Sequence, residues 1–178
     1  TFEALNEEDG GLVGGLVGYF QGQANGEYLI SNSTVKKCTF NVVNSTNTGK
    51  RANGQLMGGL DSKAGQELYI TDCTIENNTW NEKFFVDGTE VTQNTFVSPY
   101  GAWIGGERDD DAKGRVIIDG SDLVLTQAML DKALTENALV YLANGEYTIN
   151  GNFPAGATII GVGFFVTDTA HAEIYTVN

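Results

Sequence analysis

Two prolines, two cysteines and one histidine are all that 178 residues hold of these types, and each scarcity removes a class of protein. A chain so poor in proline is not a Pro-rich linker. Cys38 and Cys73 are too few for a disulfide framework, and their spacing lacks a metal-ligand pattern. They read as small buried side chains; a bond between them, which would mark an oxidising compartment, stays open. Positive charge is scarce as well. Ten Lys and Arg stand against 23 Asp and Glu, a net charge of −13, and such a field repels nucleic-acid phosphates and anionic membrane surfaces. The excess acid reads as a solubility device rather than as calcium binding. No apolar run approaches the ~20 residues that span a bilayer, so no membrane insertion is expected. Nothing calls for a cofactor. Thr1 rather than Met opens the sequence and no signal peptide is visible, which reads as a mature chain or a segment of a longer one.

What is abundant is glycine, at 23 residues, together with Val, Ile, Leu and aromatics, which suits tight turns between short strands. These residues repeat. Leu16-Val17-Gly18 matches Leu56-Met57-Gly58 at an offset of 40, and at that offset Tyr28-Leu29-Ile30-Ser31-Asn32-Ser33-Thr34-Val35 matches Leu68-Tyr69-Ile70-Thr71-Asp72-Cys73-Thr74-Ile75. Thr39-Phe40 then matches Thr79-Trp80. A degenerate third copy places Trp103-Ile104-Gly105 at an offset of 47 and Val116-Ile117-Ile118 at 48, with the extra residues expected around 107–111. The copies fall near 14–53, 54–100 and 101–123, and Ser33, Cys73 and Ser121 occupy one equivalent position. The phrase Ala24-Asn25-Gly26-Glu27-Tyr28-Leu29-Ile30 returns as Ala143-Asn144-Gly145-Glu146-Tyr147-Thr148-Ile149.

Within the copies the apolar alternation has period two. The fold class expected is therefore all-β, a right-handed parallel β-helix (β-solenoid) over residues 1–120 that continues through 121–178. One short amphipathic capping helix is expected over 126–137, with Leu125, Met129, Leu130, Ala133 and Leu134 on its apolar stripe. Such a helix covers an open sheet edge or solenoid end. The alternative is a β-sandwich of hairpins, since Asn-Gly is a strong hairpin signal and residues 140–149 fit an antiparallel pair around Asn144-Gly145.

Gly14-Gly15-Leu16-Val17-Gly18-Tyr19-Phe20 followed by Ile30-Ser31-Asn32-Ser33-Thr34-Val35 resembles the GLUG repeat of bacterial surface and adhesin-like proteins, with Gly58-Gly59 and Ile70-Thr71-Asp72-Cys73 a weaker second match. The resemblance covers about residues 11–80. The helix segment, then Val140-Tyr141-Leu142-Ala143-Asn144-Gly145-Glu146-Tyr147 and Ala157-Thr158-Ile159-Ile160-Gly161-Val162-Gly163, resembles the opening of pectate-lyase-like β-helices. Together these imply a secreted or cell-surface bacterial module that is not an enzyme and presents a solenoid face to a glycan or an extracellular protein, with end-to-end self-association through open solenoid ends. The alternative they imply is a fragment of a polysaccharide lyase or hydrolase.

Lyases of that kind want an Arg or Lys base beside acids, and Arg108 with Asp109, Asp110 and Asp111 is the one suggestive constellation. It reads as a solvated loop, lacking the ligand spacing of a helix-loop-helix calcium site. His171 has no nucleophile elbow near it. Tyr19, Tyr28, Tyr69, Tyr100, Trp80 and Trp103 suggest a sugar-stacking platform, but the tryptophans align with Phe40 and Leu56 and read as core. Asn32-Ser33-Thr34, Asn44-Ser45-Thr46 and Asn77-Asn78-Thr79 match the glycosylation pattern, which an Asn- and Thr-rich chain produces freely. No catalytic or metal-binding residue is assigned.

Overall fold

The computed structural model describes residues 1–4, 12–45, 53–86, 89–91, 103–107, 114–142, 146–149, 154–160 and 165–168. In chain order the strands are β1 (Phe2–Ala4), β2 (Val17–Gln21), β3 (Glu27–Ser31), β4 (Thr34–Lys36), β5 (Thr39–Ser45), β6 (Met57–Asp61), β7 (Glu67–Thr71), β8 (Thr74–Glu76), β9 (Thr79–Val86), β10 (Thr89–Val91), β11 (Ile104–Glu107), β12 (Arg115–Ile118) and β13 (Ser121–Val124). Helix α1 (Gln127–Ala133) follows, then β14 (Leu139–Leu142), β15 (Glu146–Ile149), β16 (Thr158–Ile160) and β17 (Phe165–Asp168). Among the described residues the chain is all-β apart from this helix.

The 40-residue offset is the register of the sheets. Strands β2, β3, β4 and β5 lie parallel on β6, β7, β8 and β9, pairing Phe20 with Leu60, Ile30 with Ile70, Val35 with Ile75 and Phe40 with Trp80. Next come β11 on β6 at 47 (Ile104 on Met57) and β12 on β7 at 48 (Val116 on Leu68). Like residues therefore sit above like, and Leu56, Met57, Leu60, Leu68, Ile70 and Ile118 are wholly buried. The corners repeat too. Positive φ recurs at Asn25 and Gly65, at Asn32, Asp72 and Asp119, and at Lys37 and Asn77, so each copy turns at the same places.

Three expectations are corrected. The extra residues of the third copy fall mostly before 107–111. The offset is still 40 at Ser45–Phe85 and already 47 at Met57–Ile104, so seven residues enter between Phe85 and Ile104. Some of them form β10, which returns antiparallel along β9. Only one more enters between Glu107 and Arg115.

The second correction concerns the hairpin. Residues 140–149 do not form one: β14 pairs in parallel with β13 and β16, and β15 in parallel with β17. The antiparallel turn is at Asp119-Gly120, both at positive φ (47° and 84°), which joins β12 to β13 as the Asp-Gly signal requires. Ten of the twelve strand pairings among the described residues are parallel, which a sandwich of hairpins cannot supply.

The third follows from the second. Because the chain reverses after Asp119, Ser121 pairs with Ile118 instead of stacking on Cys73. Both cysteines are free thiols, Cys73 with its Sγ toward the Ile30 and Thr71 carbonyls and Cys38 toward that of Lys36.

Beyond the hairpin the coil length changes. Leu139 pairs with Thr158 and Glu146 with Phe165, an offset of 19, and the left-handed corner recurs as Asn137 and Gly156. One six-stranded sheet, β16-β14-β13-β12-β7-β3, runs through both parts. Register partners face the same side of a sheet and alternate along a strand. Val116 and Ile118 face the same side as Leu68 and Ile70, whereas Ile117 faces the other side with Asp122, and hence with Val124, Val140 and Leu142. All four residues of β13 are buried, so both of its faces are covered, and Val124, Val140 and Leu142 join Leu68, Ile70 and Ile118 in one core.

Helix α1 is shorter than the 126–137 expected. Thr126 caps it, its Oγ1 accepting from Met129 N at 3.3 Å, and the backbone leaves helical geometry at Leu134. Met129, Leu130 and Ala133 are buried, packing the helix against β12, β13 and β15. It also guards an edge. Gln127 Oε1 accepts from Thr148 N at 2.7 Å and its Nε2 donates to Thr148 O at 2.8 Å, so one carboxamide takes the place of a strand neighbour for β15. Gln127→Ala is expected to cost about 1–2 kcal/mol and to speed amide exchange at Thr148 most of all. Unchanged exchange there would remove the capping role.

Candidate functional site: the outward sheet faces

Two polar clusters bind neighbouring copies together on the outside of the stack. The first stands on the sheet formed by β2, β6 and β11. Gln21 is the register partner of Asp61 and donates to its Oδ2 at 2.7 Å, and the Tyr19 hydroxyl donates to the same oxygen at 3.1 Å. Tyr19 reaches across because its own partner is Gly59: a Cβ there would lie 3.3 Å from the Tyr19 ring and 2.8 Å from Leu12. The Lys63 ammonium donates to Asp61 Oδ1. Burial pushes this carboxyl up, but the three donors, Lys63 first, outweigh it and hold Asp61 below its ordinary 3.8.

A depressed carboxylate stabilises the fold above the unfolded pKa, and that contribution is lost as pH falls through the folded one. The cost of Asp61→Asn is therefore expected to be constant from neutral pH down to about 4 and to shrink below it. A cost that grows on acidification would contradict this.

The second cluster stands on the six-stranded sheet. Glu27, Glu67 and Arg115 are register partners in successive copies. Arg115 forks onto Asp122, with Nε to Oδ1 and Nη2 to Oδ2 both at 2.9 Å, and its Nη1 donates to Glu67 at 3.1 Å. The Tyr69 hydroxyl donates to the other Glu67 oxygen at 2.5 Å. The Asp122 fork raises the Arg115 pKa, with burial opposing and Glu67 adding to the rise. The Tyr69 pKa is raised by the hydrogen bond that its hydroxyl donates to Glu67. Asp122 is buried, so removing Arg115 strands a carboxylate. Arg115→Met is expected to cost about 2–3 kcal/mol, less than a fully buried pair because the guanidinium is partly in water. Adding Asp122→Leu is expected to recover most of that in a denaturant titration; a purely additive double mutant would show the fork contributes nothing.

The aromatics divide between inside and outside. Phe2, Phe40 and Trp80 form an inward ladder with centroid separations of 4.9 and 5.5 Å, and Trp103 packs on the same core. Tyr28 meets Phe20 edge-on and its hydroxyl accepts from Gln23 N. Of the five expected stacking residues that are described, only Tyr19 and Tyr69 stand outward, each bonded to an acid and each on a different sheet. Asn32 and Asn77, from the glycosylation-like triplets, serve as left-handed turn residues. Tyr100, Arg108, Asp109, Asp110, Asp111 and His171 lie outside the described residues. Among the described residues no three His, Cys, Asp or Glu gather as a metal site.

Sequence reasoning passed over Asp61, Arg115 and Asp122. The signal existed: offsets of 40 and 48 align Glu27, Glu67 and Arg115, placing a cation against a carboxylate. Asp122 joins only through the hairpin. No family model, curated protein or solved structure matches this chain.

Proposed function

We propose that the chain is a non-catalytic, secreted or cell-surface module of adhesin type. In this reading its 40-residue copies form a right-handed parallel β-helix, and their outer faces engage a glycan or an extracellular protein. The observation that carries it is the parallel, in-register stacking of like strands at an offset of 40, with which the shifted ionisations are consistent. Asp61 is made more acidic, Arg115 more basic, and Tyr69 and buried Tyr147 harder to ionise. General acid–base chemistry needs the opposite, a pKa drawn toward neutrality. Arg115 has a lyase base's neighbours in Glu67 and Asp122, but its donors are engaged and its charge is fixed. These clusters act as clamps between copies, leaving long, repetitive faces as the feature available to a partner.

The test is binding and turnover against a panel of plant and host polysaccharides, with and without calcium. Binding without product and indifferent to calcium is the expected result. Release of unsaturated or reducing ends, lost in Arg108→Ala, would make the chain a polysaccharide lyase or hydrolase fragment instead.

A further inference from the structure

The two ends of the 40-residue stack are finished differently. In copy two, Leu56 is fully buried because copy one lies over it; its counterpart Leu16 is 50% exposed. Phe20, Tyr28 and Ile30 are likewise only partly buried where Leu60, Leu68 and Ile70 are completely so, and Leu29 is 66% exposed. Strands β2, β3 and β4 each form the outer edge of their sheets among the described residues. Terminal repeats that face water normally replace such apolar positions by polar ones, and unguarded edges invite pairing. Copy one has the residues of an interior copy.

Its fourth strand is the exception, and it shows what fits. Phe40 is fully buried because β1 lies parallel on β5, pairing Phe2 with Phe40 and Ala4 with Val42, an offset of 38. Phe2 stacks on Phe40 as Phe40 meets Trp80, and Thr1-Phe2 repeats Thr39-Phe40 and Thr79-Trp80. Strand β1 thus docks on β5 in the same manner as β5 on β9.

We propose that β1 closes a further copy and that the open edges of β2, β3 and β4 seat the rest of it, a strand-bearing repeat of this chain's own type leading into Thr1 and stacked parallel and in register. Its aliphatic residues would cover Leu16, Phe20, Tyr28 and Ile30 as copy one covers Leu56, Leu60, Leu68 and Ile70. The partner chemistry is backbone pairing plus apolar ladders, with a Thr opposite Thr34, as Thr74 is at 2.9 Å.

The test joins a duplicate of residues 12–38 directly ahead of Thr1 of the full chain, so that its last residue precedes Thr1 as Cys38 precedes Thr39. A control carries the same residues scrambled. Hydrogen exchange is expected to slow at least tenfold at the β2 and β3 amides and to show the added strands protected, with Tm raised by several degrees and no effect in the control. Added residues that exchange at unfolded rates while β3 is unchanged would overturn the proposal. So would a stable dimer of the unextended chain that Leu29→Lys dissolves, since the edge would then belong to a second molecule.

Discussion

Gly54→Ala is expected to lower stability by about 3 kcal/mol or more. A Cβ at Gly54 would lie 2.2 Å from the Met57 carbonyl of its own turn and 2.7 Å from both Gly105 N and Trp103 O of the next copy. These are backbone atoms held in the parallel ladder, so they cannot rotate aside as a side chain would. Gly14 repeats the contact one copy earlier, 2.0 Å from Val17 O and 2.6 Å from Gly58 N. The glycine two residues before Leu16-Val17-Gly18, and before Leu56-Met57-Gly58, is therefore the site where the following copy passes overhead. Gly120→Ala makes the natural comparison: it has open space but φ of +84°, so it carries only the left-handed strain of about 1–2 kcal/mol. Urea denaturation of the two variants should rank them in this order. A Gly54→Ala midpoint at or above that of Gly120→Ala would refute the close-approach argument.

Phe40→Ala is expected to cost about 3–5 kcal/mol, the range for deleting a buried aromatic. Phe40 is the middle rung of the ladder with Phe2 and Trp80, so its loss opens a cavity and removes the surface on which β1 rests. Exchange at Phe2–Ala4 should therefore rise by more than global destabilisation explains, while β12 and β13 track only the global change. Phe40→Leu, which keeps most of the volume, should cost less than about 1.5 kcal/mol. If Phe40→Ala left β1 protected, the strand would be held by something other than this stack.

Much of the stack was legible from residues because a parallel ladder converts sequence offset directly into contact. Once Leu29 aligns with Tyr69 and Phe40 with Trp80, inside and outside follow from alternation, and Trp80 falls on the core as expected. The third copy was legible in its ends but not in its interior. Offsets of 47 and 48 say how many residues were added; they do not say where, and part of that slack forms β10, which folds back on β9. The Ala-Asn-Gly-Glu-Tyr phrase located strands but not their partners. A turn followed by a strand is a local preference, and it recurs in sheets with no other relation: β3 pairs with β7, whereas β15 pairs with β17. The clamps were half legible, since Glu67 and Arg115 share a register while Asp122 reaches them only across the Asp119-Gly120 hairpin.

By itself the sequence determined the all-β class and the 40-residue register. These are set within a copy or between aligned copies, where local sterics and apolar periodicity leave one answer. Only the tertiary structure decided that the chain reverses after Asp119 and that its later strands pair at an offset of 19 along the same six-stranded sheet. Strand alternation says that Ile117 and Ile118 face opposite ways, but not which face a later helix will cover. That was settled when Met129, Leu130 and Ala133 of α1 packed against β13 and made both of its faces interior.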